Sequence, residues 1–151
     1  LADPASRRLQ EEARQGAWDE RLTLAGYLER PELLRLYARA RGLLVPLFDD
    51  VRSAARFPTK IGEYLASARP VVTNAVGEIP RYFEDGVNGL VCPPGDAVAF
   101  GERLLELLRD PLRAAAIGRA GRELAERRFH YALYGEELRR GFTEAASRGA
   151  R

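Results

Sequence analysis

The sequence predicts an α/β fold in which short parallel strands alternate with helices. Brief apolar runs at residues 21–26, 42–48, 70–74 and 88–92 are spaced by stretches of helical periodicity. Parallel neighbours cannot be joined by a tight turn, and an intervening helix supplies the crossover they need. From Ala97 onward the chain is amphipathic helix almost throughout, which sets several helices after the last strand.

In order, residues 1–16 read as a polar helix with Leu9 and Ala13 as its apolar contacts. Residues 21–26 alternate and read as a strand that ends at Gly26. Pro31 sits near the first turn of a helix striped by Leu33, Leu34, Tyr37 and Ala38. Residues 42–48 form a nearly continuous apolar run, the pattern of a strand buried on both faces, with Pro46 interrupting the ladder or ending it. Residues 49–56 read as a polar loop, with Asp49, Asp50, Arg52, Ser53 and Arg56. A short helix near Thr59 leads to the third strand, residues 70–74. The turn Glu84-Asp85-Gly86 precedes a short fourth strand at 88–92. Helices follow at 97–109, 111–129 and 131–147, their apolar stripes (Phe100, Leu104, Leu105, Leu107 and Leu108; Leu112, Ile117 and Leu124; Leu133, Tyr134, Leu138 and Phe142) reading as core.

The 151 residues suit a single domain, 1–151, large enough to bury a core without disulfides or metal. Apolar residues at 46%, charged residues at 30% and a formal charge of +2 describe a soluble globular chain. Arginine is interleaved with glutamate along the helices, as at Arg103 and Glu106, so no basic patch for nucleic acid emerges. Cys92 is the only cysteine, which rules out an internal disulfide and fits a reducing compartment, the cytoplasm. Cys92 reads as a buried strand-end residue and His130, the sole histidine, as structural. No His, Cys and carboxylate cluster calls for a metal. No apolar run is long enough to span a bilayer, and no signal peptide opens the chain. The sequence holds no methionine, even at its first position, so its start is expected to be cut, processed or trimmed.

The candidate site is the corner that runs from Ala55 through Phe57, Pro58, Thr59 and Lys60 to Val72. Pro58 presets the backbone angle of a first helical turn. Ile61, Leu65 and Ala68 then share one face, with Thr59, Glu63 and Ser67 opposite. Free N–H groups and the positive end of the helix at Phe57 to Lys60 favour an anion such as a diphosphate. Glu63 is placed to accept hydrogen bonds from a ribose diol, and Lys60 is the only lysine in the chain. An ordinary solvent-facing helix start, with Glu63 favoured by the dipole, fits the same residues. Ligands of open parallel sheets bind beyond the carboxyl ends of the strands, where residues 49–60 lie.

Phe57-Pro58-Thr59-Lys60-Ile61-Gly62-Glu63-Tyr64-Leu65-Ala66-Ser67, followed by Arg69-Pro70-Val71-Val72, resembles the donor-site signature of the retaining glycosyltransferases of group 1, or family 4, which have the GT-B fold. Gly26-Tyr27, Val45-Pro46, Gly77-Glu78-Ile79-Pro80, Asp85 to Val91, Pro94-Gly95-Asp96 and Asp110-Pro111 match further landmarks in order, over most of the chain. The resemblance implies a Rossmann-like parallel sheet, the carboxy-terminal half of a GT-B fold. It implies transfer of a sugar from a UDP- or GDP-sugar to an acceptor hydroxyl with retention, a hexosyl-type transferase without a cofactor. Phe57, Pro58, Thr59 and Lys60 would meet the sugar and diphosphate, Glu63 the ribose, Gly26 and Tyr27 the base, with Arg52 or Arg56 adding charge.

The resemblance also implies two departures and an absence. The family's first glutamate, eight places before Glu63, falls on Ala55, and its usual glycine falls on Ala68. The amino-terminal acceptor domain and the first strands of the donor domain are expected to be missing, leaving this piece inactive alone and any peripheral membrane contact to the missing part. Ala55 keeps open a non-catalytic nucleotide-sugar or protein-binding module, and a sugar-nucleotide epimerase would need a histidine and carboxylates that have no place here.

Overall fold

A computed structural model describes residues 4–16 and 19–149. The chain divides into two compact units, Leu1–Arg35 and Leu36–Arg151, the boundary falling within a helix. In the first unit, α1 (Pro4–Gln15) starts on a proline, and Ala13 is fully buried while Leu9 is partly exposed. Residues 1–3 of the expected first helix lie outside the described residues. Residues 21–26 are not a strand. Asp19–Arg21 is a single 3-10 turn and the next residues run without a ladder. Alternation gives such a segment a face, but a strand exists only where its N–H and C=O groups meet a second strand, and this one meets none among the described residues. Helix α2 (Arg30–Arg39) carries Pro31 in its first turn, as the sequence predicts.

The second unit holds the sheet. Strands β1 (Leu43–Val45), β2 (Val71–Asn74) and β3 (Leu90–Cys92) pair in parallel in the order β1-β2-β3, with Leu43 opposite Val71 and Val72 opposite Leu90. The run at 42–48 pairs over only three residues, because Pro46 has no N–H to give the ladder. It is not buried on both faces either: Leu44 is 42% exposed, and β2, the middle strand, is the one buried throughout.

Between β1 and β2 come α3 (Val51–Ala54) and α4 (Lys60–Ala66), and α5 (Ile79–Tyr82) follows β2. The expected polar loop at 49–56 therefore contains a helical turn. Asp50 starts it, its carboxylate accepting the Ser53 N–H at 2.6 Å. Helices α6 (Ala97–Arg109) and α7 (Pro111–Arg128) begin on Asp96 and Asp110, which cap them in the same way. Val72, Leu90, Cys92, Leu107, Ala114 and Ile117 form a core cluster between strands and helices. Burial pushes the Cys92 thiol up, which keeps it protonated and inert.

The last predicted helix begins with a 3-10 turn, Tyr131–Leu133, held by His130 Nδ1 accepting the Ala132 N–H, before α8 (Gly135–Gly149). Its stripe is not core: Leu138 is 57% and Phe142 73% exposed, and Leu105 and Leu108 of α6 and Leu112 of α7 are likewise outside. A stripe is buried only when another apolar face lies opposite, and for these side chains none does among the described residues.

Helix α4 lies antiparallel to α7. A Cβ at Gly118 would run into the Ala68 carbonyl oxygen, and one at Gly121 would stand 2.9 Å from Leu65 Cδ2 and 3.0 Å from the Asn88 carbonyl oxygen. Ala68 ends α4 at φ +56°, the only non-glycine with positive φ among the described residues. Its side chain strains a left-handed turn that glycine enters freely. Ala68→Gly is expected to raise stability by about 1 kcal/mol and Gly118→Ala to lower it by about 1–3 kcal/mol, read as opposite shifts of the urea midpoint.

Candidate functional site

The carboxyl edge of the sheet is tied together by one side chain. Asn74, 3% exposed at the end of β2, accepts the Leu47 N–H at 2.9 Å through Oδ1 and donates Nδ2 to the Pro93 carbonyl at 2.8 Å. It thus continues the ladder on both sides after Pro46 has ended it. Thr73, also buried, donates its hydroxyl to the Val45 carbonyl at 2.9 Å. The chain leaving β1 is therefore fixed as it turns towards α3 and α4.

The start of α4 is fixed from the other side by three rings. Phe57 stacks on Phe129 with centroids 5.4 Å apart and meets Tyr82 edge-on at 5.2 Å, while Tyr82 lies 5.2 Å from Phe129. The Phe57 ring is thus a packing group. The Ile61 N–H is taken by the Pro58 carbonyl at 3.0 Å, so the turn closes at Pro58 and α4 proper begins at Lys60. Thr59 spends no hydroxyl on a cap.

Between the end of β1 and this turn opens a cavity of about 540 Å³, lined by Val45 and Pro46 on one side and by Arg56, Phe57, Thr59 and Lys60 on the other. Its volume suits a small-molecule site. Two cationic side chains and no carboxylate stand among its lining residues, and among the described residues Lys60 has no ion-pair partner. Such a wall favours an anion.

Phe57, Pro58, Thr59 and Lys60 are brought together on this cavity. Glu63, half-buried in the first turn of α4, is not on its wall, where Tyr64 stands instead, set edge-on to Tyr37 at 4.9 Å. Of the two loop arginines, Arg56 lines the cavity, whereas Arg52 lies exposed on α3. Gly26, at φ +65°, and Tyr27, 88% exposed, belong to the first unit. Sequence reasoning missed Asn74 and Tyr64; a polar residue closing the apolar run Val71-Val72-Thr73 was the available signal. Among the described residues no group of three His, Cys, Asp or Glu side chains is placed to hold a metal, and no helix is long and apolar enough to cross a membrane.

Comparison with known proteins identifies the architecture. A family model described as glycosyl transferases group 1 matches residues 2–110. The chain belongs to that family. Sucrose-phosphate synthase from Thermosynechococcus elongatus superposes with a TM-score of 0.84 at 24% identity, over 97% of this chain and 37% of that one. Anabaena HepE in complex with UDP-glucose superposes at 0.77 and 20% identity, over 91% and 36%. These are GT-B proteins, and the parallel sheet with flanking helices is theirs. Among curated relatives, a GDP-mannose-dependent phosphatidylinositol monomannoside mannosyltransferase of Corynebacterium glutamicum is 37% identical over 76 residues, 50% of this chain and 20% of that protein. Trehalose phosphorylase of Grifola frondosa is 37% identical over 54 residues, 36% of this chain and 7% of that protein. The chain thus spans a minor part of each relative.

Two outcomes follow from the carboxyl edge of this group 1 domain. Asn74→Ala leaves the Leu47 N–H and the Pro93 carbonyl buried without partners, and is expected to lower the unfolding free energy by roughly 2–4 kcal/mol in a urea titration. The Asp50 carboxyl is held below its ordinary value of 3.8, chiefly by the Ser53 N–H. Its contribution is complete above 3.8 and is lost as pH falls through the lowered folded value, so Asp50→Asn should flatten that part of the acid limb of stability against pH.

Proposed function

We propose that this chain is the donor-binding part of a retaining glycosyltransferase, which passes a hexosyl group from a UDP- or GDP-sugar to an acceptor hydroxyl. The observation that carries the reading is the cavity beyond β1, where Arg56, Phe57, Pro58, Thr59 and Lys60 converge without a carboxylate. Names of relatives point the same way: a GDP-mannose-dependent mannosyltransferase among the curated proteins and UDP-glucose bound by HepE among the solved ones.

In this reading Thr59 and Lys60 hold the diphosphate, Arg56 adds charge, and Glu63, one turn on, takes the ribose. Negative charge grows on the diphosphate as the bond to the sugar breaks. Cations and N–H groups already fixed in place lower that barrier most, because they need not reorganise. The two side-chain cations supply the neutralising charge, so the reading calls for no cofactor beyond the donor. Gly26 and Tyr27 are assigned to the base. The acceptor would be held by a further domain, making this the carboxy-terminal half of the enzyme, and the reaction is placed in the cytoplasm, in keeping with the single thiol of Cys92.

A second reading, a binding module without transferase activity, is favoured by one observation: position 55, where the family's first glutamate falls, holds an alanine that caps α3 and brings no carboxylate. Binding and transfer separate the two. Thermal unfolding of the chain with UDP, GDP or ADP should show one nucleotide raising the midpoint, by roughly 2.7 kcal/mol of added stability at a hundredfold excess over its dissociation constant. Lys60→Ala and Glu63→Ala should each abolish the shift. A midpoint unmoved by all three nucleotides would sink the donor-site reading. Binding without sugar transfer, when the chain is joined to its acceptor domain, would select the module.

A further inference from the structure

At the opposite end of α4 lies a second cavity, of about 490 Å³, that the donor reading does not use. It opens at the amino ends of the strands. Arg41 precedes β1, Arg69 precedes β2, and Arg119 projects from the third turn of α7. These residues come from three separate segments, yet all three line one cavity, floored by Leu107, Pro111 and Ala114.

Several arginines of α6 and α7 are paired. Arg103 on α6 pairs with Glu106 at 2.9 Å, and Arg122 on α7 pairs with Glu126 at 3.0 Å. Among the described residues Arg41, Arg69 and Arg119 have no such partner, and no Asp or Glu lines the cavity. Three like charges gathered on one wall repel each other unless an anion lies between them. We propose that this cavity is a binding site for a phosphate or diphosphate group carried on a small organic molecule. Each guanidinium offers a planar fork of donors that matches two oxygens of an oxyanion. One carboxylate has too few lone pairs to satisfy three such forks, whereas a tetrahedral phosphate with more oxygens and more charge can. Leu107, Pro111 and Ala114 give the attached organic part an apolar floor.

The site stands apart from the corner of Arg56 and Lys60. Helix α4, about 10 Å long from its seven residues, runs between the two cavities. The proposal therefore does not depend on the donor reading, and a variant of either site leaves the other intact.

The test is a calorimetric titration of pyrophosphate into the chain as Lys60→Ala, which silences the first cavity, and again with Arg41→Ala, Arg69→Ala and Arg119→Ala added. Binding should persist in Lys60→Ala and weaken at least tenfold once the arginines are gone. All three are exposed, so the unfolding midpoint should hold, and Arg119→Glu alone should weaken binding in the same direction if the combined form does not fold. Parallel sedimentation with phosphatidate and phosphatidylcholine vesicles separates the sources. Arginine-dependent pyrophosphate binding alone assigns a soluble phosphate. Arginine-dependent capture by phosphatidate vesicles assigns a lipid headgroup. No arginine-dependent binding in either arm overturns the site.

Discussion

The close approach of α4 to α7 is the constraint on which the second unit depends. Gly118 and Gly121 let α7 lie against the end of α4, one beside the Ala68 carbonyl and the other beside Leu65. At the other end of the same contact Phe129 takes up Phe57 and Tyr82. One helix of eighteen residues thus holds a helix of seven at both ends. A seven-residue helix is too short to be stable by propensity and owes its position to packing. The direction in which the first turn at Pro58 to Lys60 points is consequently a property of α7, far away in sequence.

The sheet supplies the other jaw. Proline at position 46 ends backbone pairing at the cavity, and Asn74 takes over with one acceptor and one donor spent on the flanking strands. The cavity between Val45 and Lys60 therefore has two rigid walls, one held by an amide side chain and one by three rings. In the proposed donor reading, a group held in this way would pay little in reorganisation as a diphosphate departs, the condition under which fixed cations are most effective. With alanine at position 55, the cavity wall carries Arg56 and Lys60 and no carboxylate.

Much of this was legible in the sequence because it is local. Helix starts at Asp96 and Asp110, the strand at 71–74 and the corner from Phe57 to Lys60 follow from capping, β-branched runs and a proline in a first turn, all readable within a few residues. What failed depends on partners. Residues 21–26 alternate like a strand, yet alternation says nothing about whether a neighbour is present to pair with. Leu138 and Phe142 repeat like core, yet the opposing face is not encoded in the repeat. Arg56 and Arg52 are equivalent by composition, and only the one-turn helix begun by Asp50 turns the first towards the cavity and leaves the second outside. The convergence of Arg41, Arg69 and Arg119 is of the same kind, since no local pattern links residues so far apart.

The position of Ala68 joins these threads. The turn after α4 needs a left-handed residue, because the chain must reverse from helix to β2 while leaving its carbonyl against Gly118. Glycine would meet the need without strain, and alanine meets it at the cost of a Cβ in a crowded region of backbone space. The strain is tolerated because the surroundings over-determine it: Leu65 is fully buried, Ser67 bonds back to the Tyr64 carbonyl at 2.6 Å, and Pro70 hands its carbonyl to Leu43 at 2.9 Å. Arg69 is held between that turn and the first residue of β2. Its side chain therefore leaves a stretch of backbone hydrogen-bonded on both sides. In the proposed anion site, a cation on such a mount would lose little main-chain freedom on binding.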